Sequence, residues 1–215
     1  MKLSKTMYPN QMRIGRVSIV RRLPQVFVGL LLAASCVWAP AGLAADAPAG
    51  NVEAAKAKVS MCIGCHGIPG YQASFPEVYK VPMISRQSGK YITTALHAYK
   101  SGERKHPTMR SVAQGLTDQD IADVAAYYEG HGRATTVAEQ PAAPNARVAE
   151  LLTKGACQSC HGPNFTKPLD GSYPKIAGQN RDYLYVALKA YKNPNNTTWG
   201  RANPIMGGIV QQFSP

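Results

Sequence analysis

The sequence predicts an all-α protein made of two tandem helical domains, and three observations predict it. A five-residue signature occurs twice, "CIGCH" at residues 62–66 and "CQSCH" at residues 157–161, with a period of 95 residues. The segments behind the two signatures align with each other, and their apolar and aromatic residues recur at helical spacing. No stretch alternates as a strand would. A period of this length is too long for a solenoid unit and suits a small domain.

The first residues stand apart from the repeat. Residues 1–44 hold Lys2, Lys5, Arg13, Arg16, Arg21 and Arg22 with no acidic residue, followed by the apolar run "VFVGLLLAASCVWAPAGLAA". A basic front, a hydrophobic middle and small residues around Ala44 describe an export signal. The run is short for a membrane span and is interrupted by Ser35, Cys36 and Pro40. "AASC" has Ala33 where a lipoprotein box carries a larger aliphatic residue, so export without lipid attachment at Cys36 is expected. Six of the 24 basic residues and none of the 12 acidic ones lie in this segment, which lowers the charge of the remainder from +12 to +6. That remainder suits docking to an acidic partner or peripheral association with an anionic membrane. No basic run interleaved with aromatics suggests nucleic acid.

The elements of the repeat follow in order. A first domain is expected over 50–130, a linker rich in Ala, Pro and Thr over 131–146, and a second domain over 147–215. A short helix leads into each signature, at 51–60 and 146–156, and a second helix follows at 88–101 and 180–192 with Tyr, Leu and Tyr on one face. Across the repeats Pro82 pairs with Pro174, Gln87 with Gln179, Tyr91 with Tyr183, Tyr99 with Tyr191, Lys100 with Lys192 and Met109 with Met206. A third helix is predicted in the first domain, where "LTDQDIADVAAYYEG" offers Thr117 as N-cap, Asp120 three residues on and Gly130 as stop. The same alignment places Ser214 on Thr117 and Pro215 on Asp118. The second domain is therefore expected to be C-terminally incomplete, lacking that closing helix, and less stable than the first.

Cys-x-x-Cys alone serves zinc sites, redox disulfides and haem attachment. Zinc ribbons place two pairs roughly 15–20 residues apart, whereas Cys65 and Cys157 are 92 apart. A zinc site within each repeat would need further ligands, and His97 and His106 of the first have no match in the second. A thioredoxin-like pair needs a βαβ context that is missing. Cys-x-x-Cys-His as a haem c attachment site has a direct account. Two thiols one helical turn apart reach the two vinyl groups of the porphyrin, and the imidazole behind them lies under the ring. Cys62, Cys65, Cys157 and Cys160 are the expected attachment points of two haem c groups, with His66 and His161 as proximal ligands of iron.

A closed electron-transfer site takes a sixth ligand, and Met/His ligation raises the reduction potential. "HPTM" and "NPIM" place Met109 and Met206 at 47 and 49 residues beyond the first cysteine of each signature, which makes them the expected distal ligands. Met61 and Met83 have no methionine counterpart and read as gap-filling or surface residues; His106 reads as a surface-loop residue. Pro82 and Pro174 leave two readings open: a turn before the helix, or a carbonyl that accepts from the second ring nitrogen of His66 and His161. The tyrosine pairs read as core residues that wall the two pockets.

"CIGCH" and "CQSCH", "YPKIAGQNRDYL" with its weaker counterpart "YKVPMISRQSGKYI", the "AYKSGER" turn and the two Pro-x-Met segments together resemble class I cytochromes c, doubled as in the two-haem cytochrome c4 type. The resemblance spans about residues 50–215. It implies a small helical bundle around one haem in each domain, two haems near the domain interface, and the carbonyl role for Pro82 and Pro174. It also implies electron transfer in the periplasm, typically towards a terminal oxidase. The chain departs from the pattern in Met83-Ile-Ser-Arg, where Lys-Ile-Ala-Gly is usual. The expected function is thus a periplasmic electron carrier, not an enzyme, with redox proteins as partners. Two alternatives are the electron-accepting cytochrome subunit of a dehydrogenase such as a flavocytochrome, and a di-haem peroxidase, against which the matched methionines argue.

Overall fold

The computed structural model of the chain describes residues 48–132 and 143–214. The export signal expected over 1–44, Cys36 within it, and most of the linker expected at 131–146 lie outside the described residues.

Asn51 opens the first domain. Its side chain accepts from the backbone N–H groups of Glu53 and Ala54 and starts helix α1, Val52–Lys58. The single helix expected to lead into the signature is broken at Val59, which closes α1 and opens α2, Ser60–His66. The signature is therefore itself helical, which puts its two cysteines one turn apart. Helix α3, Gly89–Ser101, is capped by the Ser88 side chain and ends at Gly102, whose φ of 88° is the left-handed conformation glycine adopts without steric cost. Next comes α4, Pro107–Gln114, and then α5, Asp118–Gly130. The capping box predicted at the start of α5 is complete: Asp120 N–H donates to the Thr117 hydroxyl and Thr117 N–H donates to the Asp120 carboxylate.

The second domain repeats this order. Asn145 caps α6, Ala146–Lys154; the left-handed Ala156 then turns the chain into α7, Cys157–His161, the second signature. Helices α8, Arg181–Lys192, and α9, Pro204–Gln211, correspond to α3 and α4. The described residues end at Ser214, the position that Thr117 holds in the first domain, so no counterpart of α5 falls within them.

Helices α4 and α9 were not foreseen. Each has proline at its first position and a polar side chain before it as cap: His106 Nδ1 accepts from Met109 N–H at 3.4 Å, and Asn203 Oδ1 accepts from Met206 N–H at 2.9 Å. His106 is thus a helix cap, not the surface-loop residue expected. Four two-residue strands are also present among the described residues. β1, Gln72–Ala73, pairs with β2, Tyr79–Lys80, and β3, Arg104–Lys105, pairs antiparallel with β4, Gly200–Arg201, joining the two domains.

The core of the first domain lies where α1 and α3 pack on α5, around Ile121, Val124, Tyr128, Ile92 and Leu96. Lys58 of α1 ties the same helices by reaching Asp120 at 2.5 Å and Asp123 at 2.7 Å. The other Asp123 oxygen accepts from Asn51 N–H and the Gln119 amide, each at 2.8 Å. Among the described residues of the second domain the buried apolar set is smaller: Val186, Ala187, Ala190 and Val210. The paired lysines have matching places. Lys100 Nζ donates to the Leu116 carbonyl and Lys192 Nζ to the Phe213 carbonyl, each satisfying an acceptor just past the end of α4 or α9.

Candidate functional site

Helix α2 carries Cys62, Cys65 and His66 to one wall of a cavity. The residue that holds His66 in place comes from the turn before α3: His66 Nδ1–H donates to the Pro82 carbonyl at 2.7 Å. That bond leaves Nε2 as the bare nitrogen. Burial pushes the His66 pKa down, against the Pro82 carbonyl that raises it, which favours the neutral ring that binds metal. Burial likewise pushes the Cys62 thiol up. Helix α4 brings Met109 to the same cavity.

The second signature has the same construction. His161, buried at 9% exposure, donates from Nδ1 to the Pro174 carbonyl at 3.0 Å, and Cys157, Cys160 and Met206 line the same cavity. Of the two open readings for the prolines, the structure provides the carbonyl contact in both domains. None of the four described cysteines is joined in a disulfide. Among the described residues no three His, Cys, Asp or Glu side chains gather as a metal-binding group.

The cavity runs between the two domains and has a volume of about 970 Å³. Ligand cavities usually span roughly 300–1,000 Å³, so this one is large enough for more than a single small molecule. Its charged lining is Glu103, Arg104, Lys175 and Arg201, in which cations outnumber the one carboxylate. Arg104 and Arg201, opposite each other in the β3–β4 ladder, are set among Tyr91, Tyr99, Tyr183 and Tyr191. Arg104 reaches Tyr183 Oη at 2.8 Å and Arg201 reaches the same oxygen at 3.0 Å. Burial alone would push that phenol up; the two guanidinium charges outweigh it and hold the pKa at about 8. Tyr99, without a direct bond to either, is pushed up to about 12 by burial.

Neither arginine forms an ion pair with a carboxylate among the described residues, and Arg104 Nε is buried with no hydrogen-bond partner. A buried donor without a partner and two cations without a carboxylate pair suit an anionic group in the cavity. Haem, an apolar plate with carboxylate arms and a central metal, fits a cavity whose thiols, imidazoles and thioethers face the same space as these arginines.

The arginines were not singled out in the sequence, although a signal for them was present: each precedes its Pro-x-Met methionine by five residues. His106 donates from Nε2 to Tyr79 Oη at 3.0 Å, a contact nothing in the sequence announced. Met61 and Met83 border the cavity and are exposed, at 57% and 39%.

Comparison with known proteins agrees with the doubled arrangement. The family model for cytochrome c matches twice, at residues 52–130 and 146–214. The chain is 30% identical over 183 residues to a cytochrome c4 of Stutzerimonas stutzeri, covering 77% of this chain and 83% of that protein. It is 29% identical over 164 residues to a thiosulfate dehydrogenase electron acceptor of Stutzerimonas stutzeri, covering 71% and 72%. The solved cytochrome c4 of Acidithiobacillus ferrooxidans superposes with a TM-score of 0.56 at 26% identity, over 73% of this chain and 91% of that one. A double helical domain with two Cys-x-x-Cys-His helices facing one cavity defines a two-haem c-type cytochrome, a carrier of electrons. The chain belongs to the cytochrome c family, in its two-haem, cytochrome c4 type.

Proposed function

We propose that the chain is a periplasmic electron carrier in which Cys62 and Cys65 hold one haem c and Cys157 and Cys160 the other. His66 with Met109, and His161 with Met206, would hold the two irons. Haem c supplies an iron that gains or loses one electron between ferric and ferrous states. The chain's own residues supply the rest. The Pro82 and Pro174 carbonyls orient the two imidazoles and fix their tautomer, and the methionines raise the potential relative to nitrogen ligands. Arg104 and Arg201 neutralise carboxylate charge at the inner face of the cavity.

One observation carries this: the same His-to-Pro carbonyl bond occurs in both domains, on either side of one cavity that also holds both Pro-x-Met methionines. The periplasmic location rests on the export signal expected over residues 1–44. Electrons would pass from a respiratory donor towards a terminal oxidase. A potentiometric titration of the visible spectrum, with haem counted per chain, tests the assignment. Two low-spin haems with methionine ligation and positive potentials are expected; one haem per chain, or a high-spin site, would overturn it.

A second reading makes the chain the electron acceptor of a dehydrogenase, and the likeness to the thiosulfate dehydrogenase electron acceptor favours it specifically. Reduction of the chain by a purified thiosulfate dehydrogenase, compared with reduction by a quinol-oxidising complex, separates the two donors.

A further inference from the structure

Gln87 and Gln179 align across the repeat, and each grips the other domain. The Gln179 amide donates from Nε2 to the Met83 carbonyl at 2.9 Å and accepts from Met83 N–H at Oε1 at 3.0 Å. The Gln87 amide does the same to Lys175, at 2.9 Å in both directions. A primary amide exchanging two bonds with a single residue imitates a hydrogen-bonded pair of an antiparallel sheet. Each glutamine is held in that pose by its own neighbour, since Ser88 N–H donates to Gln87 Oε1 at 3.0 Å and Asn180 N–H to Gln179 Oε1 at 2.9 Å.

The residues gripped are those that follow the two prolines. Met83 N–H belongs to the peptide plane whose oxygen is the Pro82 carbonyl, the acceptor of the His66 ring. Lys175 N–H belongs to the plane whose oxygen is the Pro174 carbonyl, the acceptor of the His161 ring. A continuous chain of hydrogen bonds therefore runs from Gln179 of the second domain to His66 of the first, and from Gln87 of the first to His161 of the second. Because the peptide group is conjugated, an acceptor at its N–H places more negative charge on its oxygen. A more negative oxygen takes more of the Nδ1 proton, makes the ring a stronger donor to iron, and favours the ferric state.

We propose that Gln87 and Gln179 are crossed positioning residues, each setting the reduction potential of the haem in the opposite domain. This rests on His66 and His161 as iron ligands. The two clasps are unequal: Gln87 is buried at 7% exposure, whereas Gln179 is partly exposed. Hydrogen bonds weigh more where water is excluded, so the haem of the second domain feels the larger effect.

The test uses the full-length, haem-loaded protein, with the potential of each haem assigned through its own paramagnetically shifted methyl resonances. Gln87→Leu is expected to raise the potential of the haem at Cys157 and Cys160, shifting its reduced-to-oxidised ratio at fixed potential about threefold. At 59 mV per tenfold for one electron, that is about 28 mV. The haem at Cys62 and Cys65 stays where it was. Gln179→Leu gives the mirror result with a smaller shift, and the His Nδ1–H resonance of the affected domain moves with it. Lys90→Ala, which breaks the cross-domain pair with Asp170 at 2.9 Å without touching either peptide plane, is the control for a loosened interface. A shift confined to the substituted domain, an equal shift of both haems, no shift in either glutamine variant, or a crossed shift in Lys90→Ala overturns the proposal. A wild-type spectrum without two low-spin, histidine-ligated haems would instead sink the ligand assignment, so the two failures are distinguishable.

Discussion

Arg104 lies directly opposite Arg201 in the antiparallel ladder that joins the two domains, and both guanidinium groups converge on the hydroxyl of Tyr183. Two like charges brought together away from carboxylates raise the free energy of the interface unless an anion meets them. Removing one therefore alters what the cavity holds. Arg104→Leu is expected to lower the midpoint potential of at least one haem, because loss of a nearby cation, or release of a carboxylate from it, favours ferric iron. The reduced-to-oxidised ratio at fixed potential falls several-fold, with about 59 mV for each tenfold. A potential unchanged or raised in spectroelectrochemical titration would show that the arginine is remote from the iron's charge.

Met109→Ala and Met206→Ala each act on one domain. On the proposed ligation, loss of the thioether is expected to remove the sulfur-to-iron charge-transfer absorption of that domain's ferric haem. It also lowers that haem's potential by a sizeable part of the roughly 0.8 V range that axial ligands span. The double variant loses the band entirely. Met61 and Met83, exposed at the cavity margin, are not expected to change either signature when replaced by Leu.

The core of the first domain gives a stability prediction. Ile121 on α5 has no exposed surface and packs in the cluster that includes Val124 and Tyr128. Ile121→Ala removes buried methylene groups and leaves a cavity, at a cost of about 2–5 kcal/mol. Denaturant unfolding followed at the absorption of the first haem should show a lower midpoint with an unchanged slope.

Much of this fold is legible in the sequence where the signal is local. Helices α3 and α8 show their aromatic face at helical spacing, and α5 announces itself through Thr117, Asp120 and Gly130. Helices α4 and α9 are two turns long, and what starts them is a cap supplied by His106 in one and Asn203 in the other, a role that chain position alone does not single out. The strands are two residues each, too short for alternation to register. The two signatures stand out in the sequence because haem attachment dictates their spacing, and the Pro-x-Met methionines because the segment recurs in both halves; both sets line the one cavity. The Arg104–Arg201 ladder and the two glutamine clasps depend on contacts between residues about 90 or more apart in the chain. The repeat alignment shows that such residues match without showing that each faces the opposite domain.

The tie between α1 and α5 makes the first domain sensitive to acid. Lys58 hydrogen-bonds Asp123, and with Asn51 N–H and the Gln119 amide holds that carboxyl at about 2; Lys58 and the Thr117 cap hold Asp120 well below the usual carboxylate range too. Both carboxyls are more acidic folded than unfolded, where a value of about 3.9 applies. Their contribution is therefore fully present only above about pH 5, is lost progressively as the pH falls below the unfolded value, and for Asp123 runs out near its folded value of about 2. Unfolding free energy measured from pH 5 down to pH 2 should decline across that window. Asp123→Asn should flatten part of the decline while lowering stability at pH 7, because the neutral amide no longer pairs with Lys58. If the wild type and Asp123→Asn run parallel from pH 5 to 2, the Lys58–Asp123 pair is not what couples protons to the folding of this domain.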